Sequence, residues 1–169
     1  MDADKISLRL ATDDDRPFLV RVYGGTREEE LAVTDWTREQ KDAFIEMQFT
    51  AQDTYWREHY VGAEFFVIER RREDGSTEGI GRLYLHGRTQ ELRLMDIAIL
   101  PTFRGQGIGT LLLNQLIERA ASEGKSLTIH VEQFNPARAL YERLGFRRIG
   151  EFGAYFLLEW KPEGSEPSP

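Results

Sequence analysis

Cysteine is absent from this chain of 169 residues. Its absence excludes disulfide bonds, thiolate metal sites and any reaction that passes through a thioester on the protein itself. A chain without cysteine is compatible with any compartment, and the cytoplasm is the expected one.

Long apolar runs and an excess of positive charge are missing as well. The longest apolar runs are far shorter than the ~20 residues of a membrane-spanning helix. The first residues, Met1 to Lys5, are acidic and lack the basic-then-apolar order of a signal peptide. With 22 Lys and Arg against 29 Asp and Glu, the net charge is −7, which disfavours nucleic acid as a partner. We therefore expect neither a membrane nor a nucleic-acid partner, and the acidic balance favours a cationic, amine-bearing substrate.

The composition is that of a soluble globular domain, with 40% hydrophobic and 30% charged residues. The length suits one domain with a substantial core. We predict a single domain over residues 1–161, followed by a disordered tail over residues 162–169 that is rich in Pro, Glu and Ser.

Hydrophobic periodicity and turn residues predict a mixed α/β sheet. Thr12 or Asp13 is expected to cap a first helix, and Thr34 or Asp35 a longer second one. The predicted helices cover residues 13–22, 37–60 and 107–122, and a short fourth helix follows Asn135. The predicted strands cover residues 6–10, 65–68, 80–85, 91–99, 127–131, 147–149 and 155–160.

A glycine loop joins the strand that ends at Ile99 to a long amphipathic helix, with the sequence Arg104-Gly105-Gln106-Gly107-Ile108-Gly109. Glycines leave backbone N–H groups uncovered, and a helix start adds unpartnered N–H groups and a positive dipole end. Together they predict a phosphate or pyrophosphate site. Thr110 follows the last glycine, where a Walker loop needs Lys and a dinucleotide-binding turn needs its third glycine.

A second motif follows the next strand and runs from Asn135 to Phe146. Asn135 suits a helix N-cap, Pro136 suits the first helical position and Gly145 suits the carboxyl-terminal cap. Tyr141 lies about one and a half turns after Asn135, so its side chain can reach back toward the start of the helix.

The two motifs, in this order and separated by one strand, resemble the GNAT superfamily of acetyl-CoA-dependent N-acetyltransferases. The resemblance covers residues 6–160, although residues 12–60 match only as two helices. It implies a GNAT-like mixed central β-sheet with splayed parallel strands and helices on both faces, an N-acetyltransferase domain over residues 1–161, and acetyl-CoA as cofactor.

The resemblance also implies which residues bind coenzyme A. Backbone groups of the strand end would bind the pantetheine arm, and N–H groups of the glycine loop would bind the pyrophosphate. Arg104 would add charge or brace the loop, and Asn135 would cap its helix, bind pantetheine, or do both. The implied cofactor-binding residues are Ile97, Ala98, Ile99, Arg104, Gly105, Gln106, Gly107, Ile108, Gly109, Thr110, Asn135, Ala137 and Tyr141.

By the same resemblance Tyr141 is the general acid that protonates the departing thiolate; the alternative is a tyrosine that only packs in the core. A carboxylate or an ordered water must remove a proton from the amine. Asp96 and Glu132 are the catalytic base candidates, with Glu91 and then His130 behind them. For each, a salt-bridged or solvated strand residue is the alternative. No His, Asp or Glu cluster has metal-ligand spacing, so no metal is expected.

Side chains at every fourth position of the second predicted helix form an aromatic and amide stripe that would bind the acceptor: Trp36, Gln40, Phe44, Gln48 and Gln52. The alternative is that the aromatic residues are core and the glutamines are surface. The leading hypothesis is acetyl transfer to a small-molecule primary amine. The alternatives are a protein α-amine or lysine, or an acetyl-CoA sensor without turnover. The exposed last strands would support a homodimer.

Overall fold

The computed structural model describes residues 3–164. The last five residues of the predicted disordered tail lie outside this range. The described part contains seven strands and five α-helices, in the order β1 (Ile6–Leu10), α1 (Arg16–Gly25), α2 (Glu28–Ala32), α3 (Arg38–His59), β2 (Glu64–Arg71), β3 (Thr77–Gly87), β4 (Glu91–Ile99), α4 (Ile108–Glu123), β5 (Ser126–Glu132), α5 (Arg138–Arg143), β6 (Arg147–Phe152) and β7 (Tyr155–Trp160).

The strands form a mixed sheet with the hydrogen-bonded order β1-β2-β3-β4-β5-β7-β6. β4 and β5 are parallel, whereas β1 with β2, β5 with β7, and β6 with β7 are antiparallel. The prediction of a mixed α/β sheet is confirmed. No helix within residues 3–164 combines the length and the apolar character needed to cross a bilayer.

The chain divides into two compact units. The first runs up to Tyr84 and includes Ile97–Gln106, and the second consists of Leu85–Asp96 and the chain from Gly107 onward. The prediction of one domain over residues 1–161 stays a prediction.

In the first unit, helices α1 and α3 share a core with strand β2. Its buried side chains are Leu19, Tyr23, Leu31, Ile45, Phe49 and Val67, and each fully buried side chain of this size stabilises the fold by about 1.5–3 kcal/mol. The predicted cap of α3 at Thr34 or Asp35 is wrong. Thr37 is the cap, because its Oγ1 accepts from the Gln40 N–H at 3.1 Å while Gln40 Oε1 accepts from the Thr37 N–H at 2.9 Å.

The first helix also begins later than predicted. A 3₁₀ turn at Asp13–Asp15 precedes α1, and the Asp15 carboxylate accepts the Thr12 N–H at 2.7 Å. That bond closes the turn on itself, so regular α-helical hydrogen bonding starts only at Arg16. The five-residue α2 was not predicted.

In the second unit, α4 packs its buried leucines Leu112, Leu113 and Leu116 in the core, to which β5 contributes its alternate residues Leu127, Ile129 and Val131. Asn135 does not cap α5 as predicted. Its side chain accepts the Ala137 N–H at 2.8 Å and its carbonyl accepts the Arg138 N–H at 3.1 Å. This turn places the helix start at Arg138.

Candidate active site

The glycine loop contains two residues in the left-handed region of backbone conformation. Gly105 and Gly107 have φ values of +73° and +81°, a region that only glycine adopts at little cost. A Cβ atom added at Gly105, Gly107 or Gly109 would meet nothing within 4 Å, so the space over the loop is open.

The start of α4 adds unpartnered donors to this loop. Gly107 is the N-cap, and the helix is anchored by the buried side chain of Ile108. Helical bonding begins where the Leu111 N–H donates to the Gly107 carbonyl at 3.0 Å, so the N–H groups of Ile108, Gly109 and Thr110 have no partner within the helix. Loop and helix start together fit a phosphate group.

The hydrogen-bonded ladder between the two parallel strands ends before either strand does. Their ladder covers four residue pairs, from Glu91↔Ser126 to Leu94↔Ile129. Beyond the last pair β5 continues to Glu132 and remains paired to β7 on its other side, through His130↔Leu157 to Glu132↔Tyr155. The backbone edge that the ladder leaves is available to an extended ligand.

The end of β4 is held by β3 in the first unit. The Leu100 N–H donates to the Ile80 carbonyl at 2.8 Å. A Cβ at Gly81 would lie 2.3 Å from the Ala98 carbonyl oxygen, so only glycine allows this close approach of the strands. Sequence analysis did not single out Gly81, because the sequence around a glycine in a strand does not show which residue of the adjacent strand lies against it.

Tyr141 is buried on α5, with 4% of its surface exposed. Its ring packs edge-on against Phe146, with centroids 5.6 Å apart. Burial, and after it the negative charge of Asp96, raise the pKa of the Tyr141 phenol to about 12. The phenol is therefore protonated at neutral pH, as a proton or hydrogen-bond donor must be, and Asp96 lies close enough to influence it.

Asn135 fixes the turn that leads to Tyr141. Because its Oδ1 accepts the Ala137 N–H, the NH₂ group of the same side chain is the part that can donate to a ligand. Arg138 steadies the turn, donating through Nη1 to the Gln133 carbonyl at 2.6 Å and stacking 4.5 Å from the Phe156 ring centroid. Asn135 therefore can cap the turn and bind a ligand at once.

Glu91 belongs to an ion cluster. Its carboxylate accepts from the Thr128 hydroxyl and pairs with Arg93 and Arg88 at 3.4 and 3.2 Å. Burial alone raises the pKa of Glu91, but the Thr128 hydrogen bond and the two cations outweigh it and hold that pKa below its usual value. A carboxylate stabilised in its ionised form is a poor proton acceptor.

His130 is bound to the same cluster. Arg93 Nη1 lies 3.2 Å from His130 Nδ1, and since a guanidinium only donates, Nδ1 is the acceptor of a neutral ring. Burial, followed by the charges of Arg93 and Arg88, lowers the pKa of His130, while Glu91 opposes the shift. Of the four base candidates, Glu91 and His130 thus lie in the ion cluster, and Asp96 lies within electrostatic range of Tyr141. Glu132 is exposed, and its carbonyl accepts the Asn135 N–H at 3.0 Å.

The aromatic and amide stripe of α3 is partly engaged by the protein itself. Trp36 packs edge-on against Phe44 with centroids 5.3 Å apart, and Phe44 also packs against the core of the first unit. Gln40 closes the helix cap, and Gln52 accepts from Arg82 Nη2 at 2.9 Å. Gln48 is half-buried.

Arg82 is a residue that sequence analysis missed. It is 2% exposed, and its guanidinium lies over the rings of Tyr23, Trp56 and Tyr84 at 5.5, 5.8 and 4.8 Å. Its signal in the sequence is a lone charge between apolar neighbours in a predicted strand. Within residues 3–164, no group of three or more His, Asp or Glu side chains could hold a metal ion.

Comparison with known families matches residues 29–146 to the model of the acetyltransferase (GNAT) family. Ribosomal protein bS18 alanine N-acetyltransferase of Haemophilus influenzae is 45% identical over 75 residues, which are 44% of this chain and 49% of that protein. N-alpha-acetyltransferase RimI of Mycobacterium tuberculosis is 31% identical over 102 residues, 59% of each chain. The chain thus spans about half the length of the curated relatives that it matches.

Among solved structures, the PaiA N-acetyltransferase of Thermoplasma acidophilum in complex with coenzyme A superposes with a TM-score of 0.67. The match is 18% identical and covers 93% of this chain and 99% of that one. An acetyltransferase of Thermus thermophilus also gives a TM-score of 0.67, at 18% identity, over 96% of this chain and all of that one. At these identities the likeness is one of fold.

Proposed function

The chain belongs to the GNAT family of acetyltransferases, and we propose that it transfers an acetyl group from acetyl-CoA to the α-amine at the amino terminus of a protein. The observation that carries the acceptor class is the 45% identity over 75 residues to an enzyme named for an alanine of a ribosomal protein. The second relative is named an N-alpha-acetyltransferase. Both names favour the protein α-amine over the small-molecule amine that sequence analysis put first.

The proposed cofactor contacts use backbone groups of the strand end and of the glycine loop. Ile97, Ala98 and Ile99 bind the pantetheine arm as an added strand. The N–H groups from Gly105 to Thr110 bind the pyrophosphate. This assignment is supported by the open space over the loop glycines and by the end of the parallel ladder at Leu94↔Ile129.

Acetyl-CoA, when bound, supplies an activated acetyl thioester. As the amine nitrogen forms its new bond to the acetyl carbon, the carbon–sulfur bond breaks and the sulfur gains negative charge. Tyr141 donates its hydroxyl hydrogen toward that sulfur. A phenol with a pKa of about 12 keeps its proton at neutral pH but is a weaker acid than a thiol of pKa ~8.5. Its contribution is therefore a hydrogen bond that stabilises the departing thiolate.

Asp96 is the proposed base that accepts the proton of the attacking amine. Acid and base act on two atoms bonded to the same acetyl carbon, so they must lie close together. The effect of Asp96 on the pKa of Tyr141 supports this pairing. Glu132 is the second candidate, since it lies three residues before Asn135 at the end of β5.

Thiol release from acetyl-CoA across three matched acceptors tests the acceptor class. The first is a peptide with a free amino-terminal alanine, the second is the same peptide with its α-amine blocked and an internal lysine, and the third is alanine amide. We expect turnover with the first alone. Turnover with only the blocked peptide would identify a lysine side chain as the acceptor, and turnover with only alanine amide would identify a small-molecule amine as the acceptor. Binding of acetyl-CoA without turnover on any acceptor would contradict the proposed enzyme.

A further inference from the structure

We infer that Arg104 is a positioning residue, whose guanidinium ties the carboxyl-terminal end of α1 to the end of β4. Its role is to hold the backbone that binds pantetheine, and it does so without contacting phosphate. The inference rests on the proposed function, because it assigns Ile97 to Ile99 to the cofactor.

The guanidinium makes two hydrogen bonds to backbone carbonyls of the first unit. Nε donates to the Ile99 carbonyl at 2.8 Å, and Nη2 donates to the Gly25 carbonyl at 3.2 Å. The second bond joins residues 79 positions apart in the sequence. The fixed fork of an arginine can serve two acceptors in this way, whereas the single ammonium of a lysine cannot match its geometry.

The end of α1 packs directly on the turn that follows β4. A Cβ at Gly25 would lie 3.1 Å from Pro101 Cδ and 3.8 Å from Arg104 Nη2, so a side chain at the end of α1 would press against Pro101. The Arg104 N–H also donates to the Pro101 carbonyl at 3.2 Å. Backbone and side chain of Arg104 thus brace the same turn.

The hydrogen bonds of Arg104 affect the proposed catalysis because one of them is made to the Ile99 carbonyl. That carbonyl belongs to the strand end proposed to bind pantetheine, and Arg104 fixes its direction. Since Gly25 ends the helix that precedes α2 and α3, the same guanidinium sets the strand end against the helices that carry the proposed acceptor stripe. Loss of the fork is therefore expected to misplace donor and acceptor together.

A donor without phosphate separates positioning from phosphate binding. We compare kcat/KM for acetyl-CoA and for S-acetylpantetheine in the wild type, Arg104→Lys and Arg104→Met. In both variants kcat/KM is expected to fall at least tenfold, and by the same factor with acetyl-CoA as with S-acetylpantetheine. A loss confined to acetyl-CoA, with Arg104→Lys close to the wild type, would overturn the inference. Arg72→Met is the matched control, because Arg72 is an exposed arginine that bonds Glu78 in the β2–β3 hairpin; its kinetics should not change.

A second readout is independent of turnover. Hydrogen exchange of the backbone amides in residues 25–27 and 97–100 should quicken in both segments in Arg104→Lys, and not in Arg72→Met. Unchanged exchange in either segment would overturn the positioning role even if the protein proved inactive on every acceptor. Failure of the wild type to turn over either donor, with exchange altered as expected, would instead count against the proposed function alone.

Discussion

Tyr141 and Asp96 are linked by electrostatics within the second unit: burial, and after it the negative charge of Asp96, raise the pKa of the Tyr141 phenol to about 12. Burial is the larger cause and keeps the phenol protonated at neutral pH, and the smaller effect shows that Asp96 lies near enough to act on the phenol electrostatically. A protonated hydroxyl and a nearby carboxyl side chain are the two groups that the proposed donor and base roles require. The pair is therefore the centre of the proposed chemistry.

Replacing Tyr141 with Phe removes the hydroxyl and keeps the ring that packs on Phe146. We expect kcat to fall about 10²–10³-fold, the range for a lost acid or hydrogen-bond donor in the transition state. Affinity for coenzyme A should change less than about twofold, because the proposed cofactor contacts are backbone groups elsewhere. Thiol-release kinetics and calorimetric titration measure the two effects. Tyr155→Phe, at a tyrosine that is 45% exposed in the same unit, is the control; equal kcat values for the two variants would exclude Tyr141 from the chemistry.

The raised pKa of Tyr141 also predicts how stability depends on pH. Below pH 10, the usual pKa of tyrosine, the folded and unfolded chains both hold the phenol proton, so the contribution of Tyr141 to the free energy of unfolding is fully present. Between pH 10 and pH 12 the unfolded chain releases this proton while the folded chain keeps it, so the free energy of unfolding falls with rising pH. The fall is about 3 kcal/mol over two pH units. Denaturant titrations from pH 9 to 11 should show a steeper decline for the wild type than for Tyr141→Phe, and parallel declines would refute the assignment.

The base is tested by three carboxylates replaced with amides. Asp96→Asn should lower kcat about 10²-fold and flatten the rising limb of the pH profile of kcat/KM. Glu132→Gln should leave that limb in place. Glu91→Gln breaks bonds to Thr128, Arg93 and Arg88, so it should lower the unfolding free energy and leave the limb unmoved. A limb that vanishes in Glu132→Gln and persists in Asp96→Asn would transfer the role to Glu132.

Much of the fold is local in origin and could be predicted. Strands β1, β4 and β7 have the predicted bounds, because alternating or continuous apolar residues leave little choice of conformation. The glycine loop was predicted to join a strand to a helix, since glycines at alternate positions destabilise a helix or a strand. The positive φ values of Gly105 and Gly107 agree with that prediction.

What could not be predicted depends on partners far away in the sequence. A period of four along α3 shows that Gln40, Gln48 and Gln52 share a face, but it does not show that the first closes the helix cap and that the last accepts from Arg82. The carbonyl of Gly25 as the acceptor for Arg104 is equally invisible in the sequence. Such contacts arise from tertiary packing, which no local pattern specifies.

Two alanine substitutions distinguish the effect of the backbone conformation of the glycine loop from the effect of the open space above it. Gly107 has a φ of +81° and caps α4, so Gly107→Ala strains the backbone by about 1–2 kcal/mol. We expect that strain to lower the unfolding free energy and, by turning the loop N–H groups away, to weaken coenzyme A binding at least tenfold. Gly109 has no positive φ, and a Cβ there would meet nothing within 4 Å.

Gly109→Ala is therefore the matched control, because it adds the same methyl group two residues further into the helix. It should raise the unfolding free energy by about 0.5–1 kcal/mol, since alanine favours a helix over glycine by that amount. Coenzyme A affinity should fall less than in Gly107→Ala, because the loop keeps its backbone conformation and only the added methyl group enters the open space over the loop. Denaturant titration and calorimetry measure both variants. Wild-type affinity in Gly107→Ala would show that the left-handed cap is a structural turn, and the pyrophosphate site would then have to lie elsewhere on the chain.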